Sequence, residues 1–154
     1  MGRYETTPFL ARCGTLWALT PKKHIAVELV GRTLVVVHDA MHPSDGDWQI
    51  YLDALRTHRD AIEAQLIVTD GGSPTAAQRR ASLEYARGRP LPATAVLTSS
   101  VLVRGVVSAL SWFMKERIRA FAKTEMSDAC AFIDAAKDAA KLEDTAQRLR
   151  RTLG

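Results

Sequence analysis

The stretch Leu66–Arg79 reads LIVTDGGSPTAAQR. An apolar β run, Leu66-Ile67-Val68, ends in Thr69-Asp70, two glycines follow, and Ser73-Pro74-Thr75 opens an alanine-rich helix. A buried strand feeding a Gly-rich turn and a capped helix is where an α/β domain places its site. Ser73 before Pro74 reads as an N-cap followed by proline at the first helical position, and Gly71-Gly72 reads as the tight turn. The helix so begun extends from Thr75 to about Arg87, where Gly88-Arg89-Pro90 and Pro92 end it.

The same alternation continues downstream. Ala93–Thr98 (ATAVLT) is a strand, and Ser99-Ser100 caps a helix from Val101 to about Phe113. Leu102, Val103, Val106, Val107, Leu110 and Phe113 give that helix a wide apolar face, which predicts substantial burial, with Gly105 packed close on the sheet. The trio Trp112-Phe113-Met114 at its end reads as core. Arg117–Ala122 (RIRAFA) is a short last strand, and Ser127 caps a final helix through Ala140. From Lys137 onward, charges surround Leu142, Leu149 and Leu153, so the tail is expected to be helical and more solvated than the rest.

Upstream, a helix from about Asp47 to Ala64 sets Trp48, Leu52, Leu55 and Ile62 on one stripe, with Asp45 or Asp47 as its cap. Before it, Ile25–Leu29 and Thr33–His38 flank Val30-Gly31-Arg32 and read as a hairpin. Thr15–Leu19 is a short edge strand stopped by Thr20-Pro21. Strands joined through helices run parallel with right-handed crossovers, whereas the hairpin adds an antiparallel pair. The expected fold class is therefore α/β: a single-domain, mixed, mostly parallel sheet of about five strands with helices packed on it. The domain spans 15–140, between an N-terminal lead-in at 1–14 and a C-terminal helical extension or tail at 141–154.

Composition bounds what the chain does. Its 154 residues, 47% hydrophobic and 25% charged, make an ordinary globular domain with a net charge of +4. No stretch approaches the ~18 uninterrupted apolar residues of a membrane helix, so no membrane insertion is expected. The first residues lack the apolar core of a signal peptide, and the expected location is cytoplasmic. Cys13 and Cys130 are expected to be buried thiols of a reducing compartment. Arg79-Arg80, Arg148 and Arg150-Arg151 have no aromatic residues interleaved, which argues against nucleic acid as a partner.

Between Ile25 and Ala136 the chain resembles the STAS domain, the fold of sulphate-transporter cytoplasmic domains and anti-sigma-factor antagonists, most nearly its SpoIIAA-like branch. The likeness is carried by GRTLVVVH, LIVTDGG, ATAVLTSS leading to VRGVVSALSWF, and RIRAFA before the last helix. The resemblance implies a regulator controlled by phosphorylation of a serine or threonine at the start of the second helix, with a kinase-type anti-sigma factor as protein partner. The family pattern there is Asp-Ser-Ser-Gly. This chain has Asp70-Gly71-Gly72-Ser73-Pro74-Thr75, so Ser73 and Thr75 are the nearest hydroxyls.

The candidate residues follow. A phosphate on Ser73 would meet free backbone N–H groups at the positive end of a helix, with Arg79 or Arg80 near. Ser99, Ser100 and Arg104, at the next strand-to-helix junction, share that sheet edge with Asp70, Gly71 and Gly72 and form a candidate anion site. His38, Asp39, His42, Asp45 and Asp47 are metal-ligand types, but a strand end and a loop do not converge side chains as a helix does, so no metal is expected. No nucleophile elbow is present, and no cofactor is implied. The expected function is a non-enzymatic, regulatory protein-interaction module. The alternative is a small-molecule or lipid-binding domain, with Trp48, Trp112 and Phe113 lining an apolar pocket.

Overall fold

Strands β1 (Ile25–Val30) and β2 (Thr33–His38) are joined through Gly31, whose φ of +58° suits a residue without Cβ. They pair antiparallel, Ile25 opposite His38 and Val30 opposite Thr33. A computed structural model describes residues 22–113, 115 and 117–154. After the hairpin come α1 (Asp45–Thr57), β3 (Ala64–Thr69), α2 (Ala76–Tyr85), β4 (Ala93–Thr98), α3 (Val101–Phe113), β5 (Ile118–Phe121), α4 (Met126–Phe132) and α5 (Ala139–Arg150). The sheet runs β1-β2-β3-β4-β5 in sequence order, with β2 to β5 parallel. The molecule is a single-domain α/β fold with a mixed, mostly parallel five-stranded sheet.

Side chains alternate across each strand, so each face of the sheet makes its own core. Val35, Val37, Leu66, Ala95, Leu97 and Phe121 pack on α4 and α5 through Cys130, Ile133, Leu142, Ala146 and Leu149. Leu34, Val36 and Ile67 point the other way, towards Trp48, Tyr51 and Leu52 of α1. Strands that follow in sequence order with right-handed crossovers send α1, α2 and α3 to that same second face.

Several boundaries differ from the expectation. Helix α1 ends at Thr57 rather than near Ala64, leaving Ile62 on the connection. Strand β3 starts at Ala64 because its register against β2 sets Thr33 opposite Ala64. The cap of α1 is Ser44, not Asp45 or Asp47: its hydroxyl accepts the Asp47 N–H, and the Asp47 carboxylate accepts the Ser44 N–H. Strand β5 is shorter than the RIRAFA run. Gly105 is exposed, with open space where a Cβ would stand, so close packing on the sheet is not its role.

The C-terminal region departs most. The expected single helix is broken after Phe132, where Asp134 takes a φ of +58° and the Ala135 N–H bonds the Cys130 carbonyl at 2.8 Å. Ser127 does not cap; it lies inside α4, whose N-cap residue Glu125 makes no side-chain capping bond and accepts the Ala122 N–H of the preceding loop. The 141–154 segment forms a helical extension as expected, and one stripe of it docks on the sheet. Leu142 is 0% exposed, and Thr145, Ala146 and Leu149 are buried with it. Those four recur at i, i+3, i+4 and i+7, a core-facing stripe among charged neighbours. Helix α5 thereby seals the sheet over β1 and β2. No described helix is long and apolar enough to cross a membrane. The 1–14 lead-in, the 15–19 strand, Cys13, Met114 and the Phe113 side chain lie outside the described residues.

Candidate functional site

The register of the sheet lays three rows of side chains across the face shared by α1, α2 and α3. The first row is Leu34–Gln65–Thr94–Ile118, the second Val36–Ile67–Val96–Ala120 and the third His38–Thr69–Thr98. The middle row is apolar, and polar groups flank it on either side. From first row to third is four residues, about 13 Å at ~3.3 Å per residue.

This floor is not fully covered. Helix α2, AAQRRASLEY, carries few large apolar residues, and Gln78 is its single buried side chain. It leans on α1, where the Trp48 indole N–H donates to the Gln78 carbonyl at 2.9 Å, and it makes little contact with the strands. Helix α3 rests chiefly on β5. Between them lies a cleft of about 830 Å³, well within the ~300–1,000 Å³ of small-molecule sites. Its walls are Trp48, Tyr51 and Leu55 on one side and Leu102, Val106 and Leu110 on the other.

The apolar face of α3 is therefore not the buried surface that its sequence predicts. Val107 is buried, but Leu102 is 78% exposed and Val106 is also exposed. Trp112, 87% exposed, lies away from the cleft rather than in it or in the core. Of the aromatic residues expected to line a pocket, Trp48 does so. It stacks at a tilt on Tyr51, centroids 4.9 Å apart.

The polar groups of the floor are tightly specified. The Tyr51 hydroxyl donates to Gln65 Oε1 at 2.8 Å, and burial pushes the phenol up to about 12. Gln65 itself lines the cleft. Thr69 Oγ1 accepts the Gly71 N–H at 3.1 Å, donates to the Gly72 carbonyl at 3.1 Å and meets His38 Nδ1 at 3.2 Å. Burial pushes the His38 imidazole below its ordinary value of 6.5, against the opposing pull of Asp39, so the ring is neutral at pH 7.

The turn from β3 into α2 borders one end of the cleft through Gly71, Gly72, Ser73 and Pro74. Gly71 has a φ of +125°, and a Cβ on Gly72 would run into the carbonyls of Met41 and Asp39. Both glycines are thus required by backbone geometry. The cap of α2 is Thr75, not Ser73: Thr75 Oγ1 accepts the Gln78 N–H at 3.2 Å, and Gln78 Oε1 accepts the Thr75 N–H at 3.0 Å. Buried Gln78 fixes the site for the cap, because its amide also donates to the Pro43 carbonyl and to Asp45. Ser73 is half-buried, and its carbonyl accepts from His42 Nδ1 at 2.8 Å.

The two strand-to-helix turns meet, as the topology predicts. A Cβ on Gly71 would stand 3.8 Å from that of Ser100. The Ser100 hydroxyl accepts the Val103 N–H at 3.3 Å, which makes it a helix cap, while Ser99 and Arg104 are exposed. Asp70 is committed elsewhere: Lys123 and Arg150 both pair with it, tying the sheet edge to α5. Around the expected metal-type cluster, Asp39 pairs with His24 at 2.8 Å. Burial opposes ionisation of Asp47, but the Ser44 hydroxyl and the His24 and Ser44 N–H groups outweigh it and hold the carboxyl low. Among the described residues no three His, Cys, Asp or Glu side chains converge on a metal position.

Gln65, Thr94 and Tyr51 were not singled out in the sequence, yet they shape the floor. The signal was present: Gln65 and Thr94 are polar residues at matching positions of adjacent strands, AQLIVT and ATAVLT. Compared with known proteins, the chain matches no family model, no curated protein and no solved structure.

Proposed function

We propose that the chain is a non-enzymatic binding module that takes an elongated apolar small molecule into the cleft between α1, α2 and α3. The observation that carries this reading is the cleft of about 830 Å³, floored by the apolar row Val36, Ile67 and Val96 and walled by Leu102 and Val106 of α3, both apolar and exposed. Leaving such surface against water forgoes roughly 25 cal/mol for each Å² that a ligand would cover. The polar rows on either side would fix the ligand's position along the strands. Displacement of anilinonaphthalene sulfonate by decanol tests the reading. Val103→Trp, which fills the cleft from a partly exposed wall position, should weaken decanol binding at least about tenfold without loss of fold. Unchanged affinity in that variant would sink it.

The regulatory reading implied by the STAS resemblance has its own support. Exposed Val101 and Leu102 stand beside the turn that carries Ser73 and Thr75, an apolar patch at the expected partner surface. Its test is transfer of phosphate to Ser73 or Thr75 by a kinase-type partner. Label retained after both are changed to alanine would overturn it.

A further inference from the structure

Three polar side chains, His38, Thr69 and Thr98, lie buried in one row at the end of an otherwise apolar floor. Nearly all of their hydrogen-bonding capacity has an identifiable use. Thr98 Oγ1 accepts the Ser100 N–H at 3.1 Å. The single Thr69 hydroxyl hydrogen goes to the Gly72 carbonyl, so its contact with His38 Nδ1 requires the ring to donate there. In a neutral imidazole the proton then sits on Nδ1, and Nε2 carries a bare lone pair. In a neutral ring the hydrogen bond to the Asp39 backbone must use that same Nδ1 proton, and no other partner of the ring is found among the described residues. Among the described residues no buried side-chain nitrogen or oxygen lacks a partner. Nε2 of this 5%-exposed residue therefore opens into the cleft it lines.

We propose that the ligand of this cleft carries a neutral hydroxyl group, which donates a hydrogen bond to His38 Nε2 while the apolar body lies along the Val36–Ile67–Val96 row. This rests on the small-molecule reading above and specifies its ligand class. Charged ends fit the same place poorly. A carboxylate would face a lone pair. An ammonium would find no uncommitted carboxylate, because Asp70 is held by Lys123 and Arg150, and Asp39 by His24. Arg79 also lines the cleft and gives only one of its N–H groups to the Pro74 carbonyl, so it offers a carboxylate a competing site that the decanoate comparison reads out. Burial lowers the basicity of His38 and so keeps the acceptor form present at neutral pH.

The test compares decanol, decyl methyl ether and decanoate as displacers of anilinonaphthalene sulfonate from the full chain. Decanol should bind about tenfold more tightly than the ether, the worth of one desolvated hydrogen bond. His38→Phe should bring decanol to the ether's affinity and leave the ether unchanged. A second measurement needs only the native protein: the unprotonated Nε2 nitrogen resonance of His38 should move upfield with decanol and stay in place with the ether. Equal affinity of alcohol and ether, tightest binding by decanoate, or a fixed Nε2 resonance under saturating decanol overturns this inference alone. Failure of all three compounds to bind overturns the cleft reading and the inference with it.

Discussion

His38 and Tyr51 show how burial changes what a side chain can do. Both sit under the cleft, one kept neutral and the other kept protonated. For His38 the consequence is a pH-dependent stability. The unfolded chain takes a proton near the ordinary value of 6.5, whereas the folded chain refuses it until lower pH. Stability from this group is therefore complete above about 6.5 and declines as pH falls below it, by at most about 1.4 kcal/mol per pH unit. Urea midpoints at pH 7.5 and 5.5 should show the decline, and His38→Phe should lack this part of it. Tyr51→Phe leaves Gln65 Oε1 buried without its donor, and chemical denaturation should show a loss of about 1–3 kcal/mol. The candidate residues of the 70–75 turn are explained differently. Gly71 and Gly72 are set by backbone geometry, and Asp70 by its two cations.

Helix boundaries were legible where apolar rhythm marked them, and misread where a polar side chain had two competing uses. Strand β4 and helix α3 have the limits that the sequence suggested. The start of α2 does not. Ser73-Pro74 satisfies the local rule for a cap, yet Thr75 caps because Gln78 sits three residues beyond it and closes a reciprocal pair. Circular dichroism melts should separate the two: Thr75→Ala is expected to cost about 1 kcal/mol, and Ser73→Ala markedly less. The apolar face of α3 was equally plain in the sequence, but a stripe does not state what covers it. Here the helix seats on the edge strand β5, and half of its stripe faces the cleft and solvent.

Across the fold, the two faces of the sheet are finished to different degrees. One is sealed by α4 and α5, and the other stays open beneath α2 and α3. The sealed face carries the stability. Leu142→Ala, at a fully buried position in the segment expected to be a helical extension or tail, should lower the unfolding free energy by about 2–5 kcal/mol in urea titration. A surface leucine in a true tail would change it by less than about 0.5 kcal/mol. The same substitution should leave decanol affinity nearly unchanged, because α5 packs on the opposite side of the sheet from the cleft.

The chain's local chemistry was enough to specify the α/β class, the hairpin, four of the five strands nearly to the residue, and the meeting of the Gly71 and Ser100 turns. Period, turn residues and right-handed crossover leave few alternatives for those features. The cleft was not legible. It depends on how closely two helices approach one sheet face, and that is a balance of side-chain volumes from segments as distant as Trp48, Gln78 and Val107. The burial of α5 and the state of His38 depend in the same way on partners remote in sequence. The charge of an imidazole follows from the water its surroundings exclude, and here those surroundings include Thr69, 31 residues away in the chain.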